Sequence, residues 1–107
     1  MDKMQAADVI VMASPVYFYS IDAQMKALID RCVARWTSIP DKEFYYIMTA
    51  AEDSETVMDC TLECFRGFAA CLDGAKEMGV IQAKGVYEAG AVRATGYMQQ
   101  AYEMGRR

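Results

Sequence analysis

One run constrains this chain more than any other: Val9-Ile10-Val11-Met12-Ala13, opened by Asp8 and closed by Ser14-Pro15. A short, continuous apolar stretch rich in β-branched residues suits a strand buried on both faces, as in a parallel sheet. Pro15 ends it, because proline cannot donate to a ladder and biases Ser14 toward extended backbone. The expected organisation grows outward from this strand.

Residues Met1–Ala7 are helix-friendly but carry no cap, and read as the tail of a helix. After the strand, Ser14-Pro15-Val16-Tyr17-Phe18-Tyr19-Ser20 is a loop. Ser20 is the expected N-cap of a helix from Ile21 to about Trp36, with Ile21, Met25, Leu28, Ile29, Cys32 and Trp36 on one stripe. Phe44–Thr49 is a second strand, aromatic and β-branched. A helix is expected from about Glu55 to Met78, with Val57, Cys60, Cys64, Phe68, Cys71, Leu72 and Ala75 inward and Gly79 as its stop. A third strand from about Val80 through Tyr87 has Gly85 as a bulge or close approach, and a last helix covers Gly96–Met104. Strands alternating with helices imply right-handed crossovers and an α/β fold with a parallel sheet. Three strands are few, and the apolar Val9–Ala13 strand is left at an edge. The expectation is one domain, whose copies form a homodimer or higher oligomer over that edge.

Composition narrows the function. The 107 residues are 54% hydrophobic and 24% charged, enough apolar matter for a core. No run approaches the roughly 18 apolar residues of a membrane-spanning helix. The net charge of −4 disfavours nucleic acid as a partner. Histidine is absent, which removes imidazole acid–base chemistry and histidine metal ligands. The start, Met1-Asp2-Lys3-Met4, lacks the layout of a secretory signal, so the expected location is cytoplasmic and the four cysteines are expected to be thiols. Cys60, Cys64 and Cys71 share one helical stripe without a second cluster, and read as buried apolar residues rather than metal ligands. Lys26 and Asp30 form an i,i+4 pair on a solvated face. Glu52, Asp53 and Glu55 suit a helix start, and Arg93 an exposed position.

A ligand site is expected where the strands end. In open parallel sheets, ligands sit outside the carboxyl ends of the strands. Ser14–Ser20 lies there, with hydroxyl and N–H donors and the flat faces of Tyr17, Phe18 and Tyr19. Thr49, Ala50 and Ala51 end the next strand, and Gly85 to Gly90 the third. These residues alone leave the ligand open: an aromatic cluster capping the sheet, or a site for some planar ligand.

The segment from Ala7 to Arg31, above all Ser14-Pro15-Val16-Tyr17-Phe18 and Lys26-Ala27-Leu28-Ile29-Asp30-Arg31, resembles the NAD(P)H-dependent FMN reductase and iron–sulfur flavoprotein group of the flavodoxin-like superfamily. The remainder is similar to that group's later strands and helices more weakly. The resemblance implies a three-layer α/β/α fold holding the family's third to fifth strands. It implies FMN as cofactor, NAD(P)H as electron donor, and hydride transfer through the flavin. Carried over residue by residue, Ser14, Pro15, Val16, Tyr17 and Phe18 become flavin contacts, with Ser20 nearby and Thr49, Ala50 and Ala51 secondary. No iron–sulfur cysteine carries over. Nothing before Asp8 matches the family's first strands or its phosphate loop, so the expectation is a truncated domain. Two further readings stay open: a non-catalytic remnant serving as a structural or interaction module, and a domain for another planar ligand.

Overall fold

The computed structural model describes residues 1–107 and contains three parallel strands in the order β1-β2-β3: β1 Val9–Pro15, β2 Glu43–Thr49 and β3 Lys76–Ala83. Val9 pairs with Glu43 and Pro15 with Thr49, without a break. Between β2 and β3 the register slips once, between Phe44 and Tyr45. The helices are α1 Asp2–Ala6, α2 Ala23–Arg31, α3 Asp59–Ala70 and α4 Tyr97–Gly105. The α/β alternation is as expected; several boundaries are not.

One face of the sheet carries the core. Met12 of β1 and Phe44, Tyr46 and Met48 of β2 pack against Leu62, Phe65 and Phe68 of α3, and against Cys32 and Ile39 beyond α2. Tyr46 stacks on Phe65 with centroids 5.1 Å apart and planes 5° apart. The opposite face is covered by α4 alone, which lies on β3. Gly79 makes that approach feasible: a Cβ there would collide with Sδ of Met104. The layers are therefore α1, α2 and α3, then the sheet, then α4.

This one-sided cover corrects the first expectation. β1 is not buried on both faces: Val9 and Val11 are 45% and 57% exposed. They border an open groove of about 400 Å³ running past Tyr45, Ile47 and Ile81 to Met104. An apolar run reports apolar side chains and not the presence of a helix over each face.

The helix boundaries shift for local reasons. Asp22, not Ser20, caps α2: its Oδ1 accepts from the Met25 N–H at 2.8 Å. The expected helix to Trp36 ends at Arg31 and continues as two 3-10 turns, Cys32–Ala34 and Trp36–Ser38. Leu28 and Trp36, placed on its buried stripe, are exposed. The helix expected over Glu55–Met78 is only Asp59–Ala70; Gly74 turns the chain at φ +72, and Gly79 lies within β3. Its buried face is Thr61, Leu62, Phe65 and Phe68. That face is about one residue out of phase with the expected cysteine stripe, so Cys60 and Cys71 are exposed and Cys64 is half-buried; only Cys32 is buried.

Lys42 is buried in the connection before β2. Its ammonium donates to the carbonyls of Gln5 at 2.8 Å and Ala7 at 2.6 Å, closing the end of α1 onto the sheet. Asp2 reaches Arg35 at 2.8 Å, which holds its carboxyl below the usual range. The Lys26–Asp30 pair forms as expected, at 2.6 Å on an exposed face.

Candidate functional site

The strand ends converge as the topology requires. Val16 N–H donates to the Thr49 carbonyl at 2.7 Å, Ala50 N–H to the Ala83 carbonyl at 2.9 Å, and Val86 N–H to the Ala50 carbonyl at 2.9 Å. These bonds tie three successive strand-end loops into one ledge.

Above it, Tyr17-Phe18-Tyr19-Ser20 closes as a tight turn. Tyr17 and Ser20 exchange both N–H···O bonds, each 3.0 Å. Phe18 and Tyr19 sit at φ +50 and +65. Positive φ at both central positions is the pattern of a type I′ turn, which glycine and asparagine ordinarily occupy. An aromatic side chain there carries backbone strain, on the order of 1–2 kcal/mol per residue. The turn holds Phe18 wholly in solvent, at 101% relative exposure. No glycine or asparagine marks this turn, so nothing in the sequence announces it.

The turn divides two hollows. One, about 170 Å³, is lined by Val16, Phe18, Tyr19, Ala50, Ala51, Glu52 and Val57. The other, about 530 Å³ and more open, is lined by Phe18, Tyr19, Ser20, Asp59, Cys60, Glu63 and Cys64. Val16, Phe18, Ala50 and Ala51 thus come together as expected, joined by Tyr19. Ser20 faces the second hollow, with Oγ 3.7 Å from Sγ of Cys64. Glu52 suits a helix start in sequence, but α3 begins seven residues later. It stands instead against the turn, accepting from the Tyr19 hydroxyl at 3.3 Å and the Ser54 hydroxyl at 3.2 Å.

Other expected contacts do not line the first hollow. Ser14 is buried, and its hydroxyl is already engaged: it accepts from the Asp22 N–H at 3.0 Å and donates to the Pro15 carbonyl at 2.8 Å. It fixes the loop rather than facing outward. Pro15 and Thr49 form the last pair of the β1–β2 ladder. Tyr17 is exposed but contributes its backbone to the turn. The N–H groups of Phe18, Tyr19, Ala51 and Glu52 have no acceptor within the chain. The ledge therefore offers aromatic faces, small side chains permitting close approach, and free donors, the set a flat heteroaromatic ring with carbonyl acceptors needs.

Comparisons with known proteins bear on the fold and the family. No curated protein matches the sequence. Among solved structures, the Trp repressor binding protein from Bacillus subtilis superposes with a TM-score of 0.82 at 14% identity, covering 96% of this chain and 66% of that one. An NADPH-quinone reductase from P. pentosaceus gives 0.67 at 18% identity, covering 94% and 70%. General stress protein 14 from Treponema denticola, in complex with FMN, gives 0.64 at 13% identity, covering 96% and 70%. At such identities the likeness shows the fold, which is flavodoxin-like, and the chain spans about two thirds of the length of these structures. The family model for NADPH-dependent FMN reductase matches residues 1–57, the stretch that carries α1, β1, the aromatic turn, α2, β2 and the Ala50–Glu52 loop. With more than half of its length matched, the chain belongs to the NADPH-dependent FMN reductase family.

Proposed function

We propose that the chain, as one flavodoxin-like domain, binds the isoalloxazine ring of FMN on this ledge and serves as an NAD(P)H-dependent oxidoreductase. The observation that carries the reading is the strained Tyr17–Ser20 turn, which holds a fully exposed Phe18 beside Ala50 and Ala51. Strain of this kind persists only where the surroundings impose it, and it concentrates at ligand sites. The family match and the FMN-bound Treponema denticola neighbour support the same ligand. Phe18 and Tyr19 supply faces for the ring, and the alanines let its edge approach the backbone. The free N–H groups of Phe18, Tyr19, Ala51 and Glu52 donate to its acceptors. When bound, FMN would supply the redox chemistry between a nicotinamide donor and an acceptor, while the protein supplies position and polarity. No side-chain acid or base is required, which suits a chain without histidine.

Titration with FMN, followed by quenching of flavin fluorescence, tests this. Saturable binding at micromolar concentration, weakened in Phe18→Gly, is expected. Absence of quenching up to ~1 mM, about −4 kcal/mol, would leave a domain that keeps the fold as a structural or interaction module.

We also infer that copies of the chain pair along β1. Alternate residues of a parallel strand bond to one neighbour. The Asp8 carbonyl and Val16 N–H both bond to β2, so Val9, Val11 and Ala13 direct their backbone groups outward. A two-fold axis at Val11 would match these three residues to themselves. Light scattering should give a dimer mass, and a monomer for Val11→Lys, since an edge charge opposes strand addition; a monomeric wild type would contradict the inference.

A further inference from the structure

The larger hollow beside the aromatic turn holds two thiols that the flavin reading does not use. Cys60 and Cys64 lie one turn apart on α3, and both line it. Residues at i and i+4 of a helix share one face, with Cβ atoms about 5–6 Å apart. Helical side chains lean toward the N-terminus, so the Cys64 sulfur leans over the turn that carries Cys60. A metal–thiolate bond is about 2.3 Å, so an ion bridging two sulfurs needs them roughly 4–5 Å apart. That span is within reach of this pair. Cys60 is exposed and Cys64 half-buried, so an ion can enter from solvent. Cys64 is also oriented: its Sγ lies 3.7 Å from Oγ of Ser20, whose hydroxyl can donate to a thiolate there.

The donor set selects the ion. Thiolates favour soft cations. Structural zinc and iron–sulfur centres ask for four cysteine or histidine ligands. The chain has no histidine, and Cys32 and Cys71 line a different hollow, beside Trp36 and Leu72. Asp59 and Glu63 border the thiols and attract an incoming cation, but carboxylates are hard ligands and add little for a soft one. Two thiolates without a third soft donor suit a closed-shell monovalent ion in linear coordination. The first turns of α3 favour the negative charge of such a complex.

We propose that Cys60 and Cys64 form a two-coordinate copper(I) site. Binding turns two thiols and one Cu(I) into a bis-thiolate complex and releases both thiol protons, with no change of oxidation state. The site lies across the aromatic turn from the Ala50–Glu52 ledge and does not depend on flavin binding there.

The experiment titrates the reduced chain anaerobically with Cu(I), in competition with a chromophoric bidentate Cu(I) chelator whose absorbance is read. The chain should withdraw one Cu(I) per molecule, and X-ray absorption should show two sulfur neighbours. Cys60→Ser and Cys64→Ser should each weaken binding by more than about 100-fold, beyond what loss of an outer group that only orients a ligand costs. Cys71→Ser, on the same helix's far end, should leave both stoichiometry and affinity unchanged. Cys60 is exposed, so its replacement spares the core of α3, which circular dichroism checks. Failure to withdraw copper from the chelator would overturn the proposal. An equal loss in Cys71→Ser would show scattered thiol binding and overturn it too, as would binding that survives Cys60→Ser or one copper shared between two chains.

Discussion

Replacing Phe18 with glycine should make the protein more stable and its flavin site worse. Phe18 holds φ +50 in a turn whose second central residue is also left-handed. Removing the Cβ relieves roughly 1–2 kcal/mol of left-handed strain. Glycine's freedom in the unfolded chain returns roughly 0.5–1 kcal/mol of that. Because Phe18 is fully exposed, no apolar burial is lost with the ring. The net is a gain of about 0.5–1 kcal/mol, a rise in Tm of about 2–6 °C for a domain near this size. The lost aromatic face contributes roughly 0.5–1.5 kcal/mol to a stacked ring, so flavin affinity should fall about three- to tenfold. Urea melts followed by circular dichroism give the first quantity, and fluorescence titration the second. A loss of stability above about 1 kcal/mol would refute the strain argument, since relief of left-handed strain at an exposed residue requires a gain. Unchanged flavin affinity would refute the role assigned to Phe18.

Three further outcomes follow from the same structure. The Tyr46 hydroxyl is buried without a hydrogen-bond partner, and burial together with the nearby Glu77 charge pushes its ionisation up; Tyr46→Phe should therefore stabilise by about 1 kcal/mol in thermal melts, because an unsatisfied buried polar group costs roughly 1–3 kcal/mol. Lys42→Ala strands the Gln5 and Ala7 carbonyls and should cost about 1–3 kcal/mol, with faster amide exchange in α1. Arg66 holds Glu77 through two hydrogen bonds of 2.8 and 2.9 Å, which keeps the Glu77 carboxyl below its ordinary range. With a depressed folded-state value, its contribution is complete above the ordinary carboxylate range and disappears as pH falls through the folded value. The pair is half-exposed, so Glu77→Gln should cost less than about 1 kcal/mol at neutral pH and flatten the acid limb of the stability profile.

The fold was largely legible because the strand and helix periods are strong: the Val9–Ala13 run, the Phe44–Thr49 run and the apolar spacing between them lead directly to a parallel sheet. What escaped were features set by tertiary neighbours. The outer face of β1 looks buried in sequence because valine is apolar whether or not a helix covers it. Cys60 and Cys71 lie at the surface because α3 is shorter than its apolar pattern and turned by about one residue. Asp22 outcompetes Ser20 as a cap because the Ser20 backbone is committed to the Tyr17 turn. The candidate site is legible through its loop rather than its members: Val16, Phe18, Ala50 and Ala51 line one hollow, whereas the Ser14 hydroxyl is consumed inside the loop. The place of Glu52 beside the turn is not legible in the sequence, because it depends on a tyrosine hydroxyl 33 residues away.

The central claim is that the Tyr17–Ser20 turn and the Ala50–Glu52 ledge together hold a flavin ring. The most direct test is a flavin titration of the isotopically labelled 107-residue chain, observed by amide NMR. The account predicts saturable shifts confined to Val16–Ser20, Ala50–Glu52 and their immediate neighbours. Shifts centred on the Val9–Val11 groove beside α4, or no saturable shift, would contradict it.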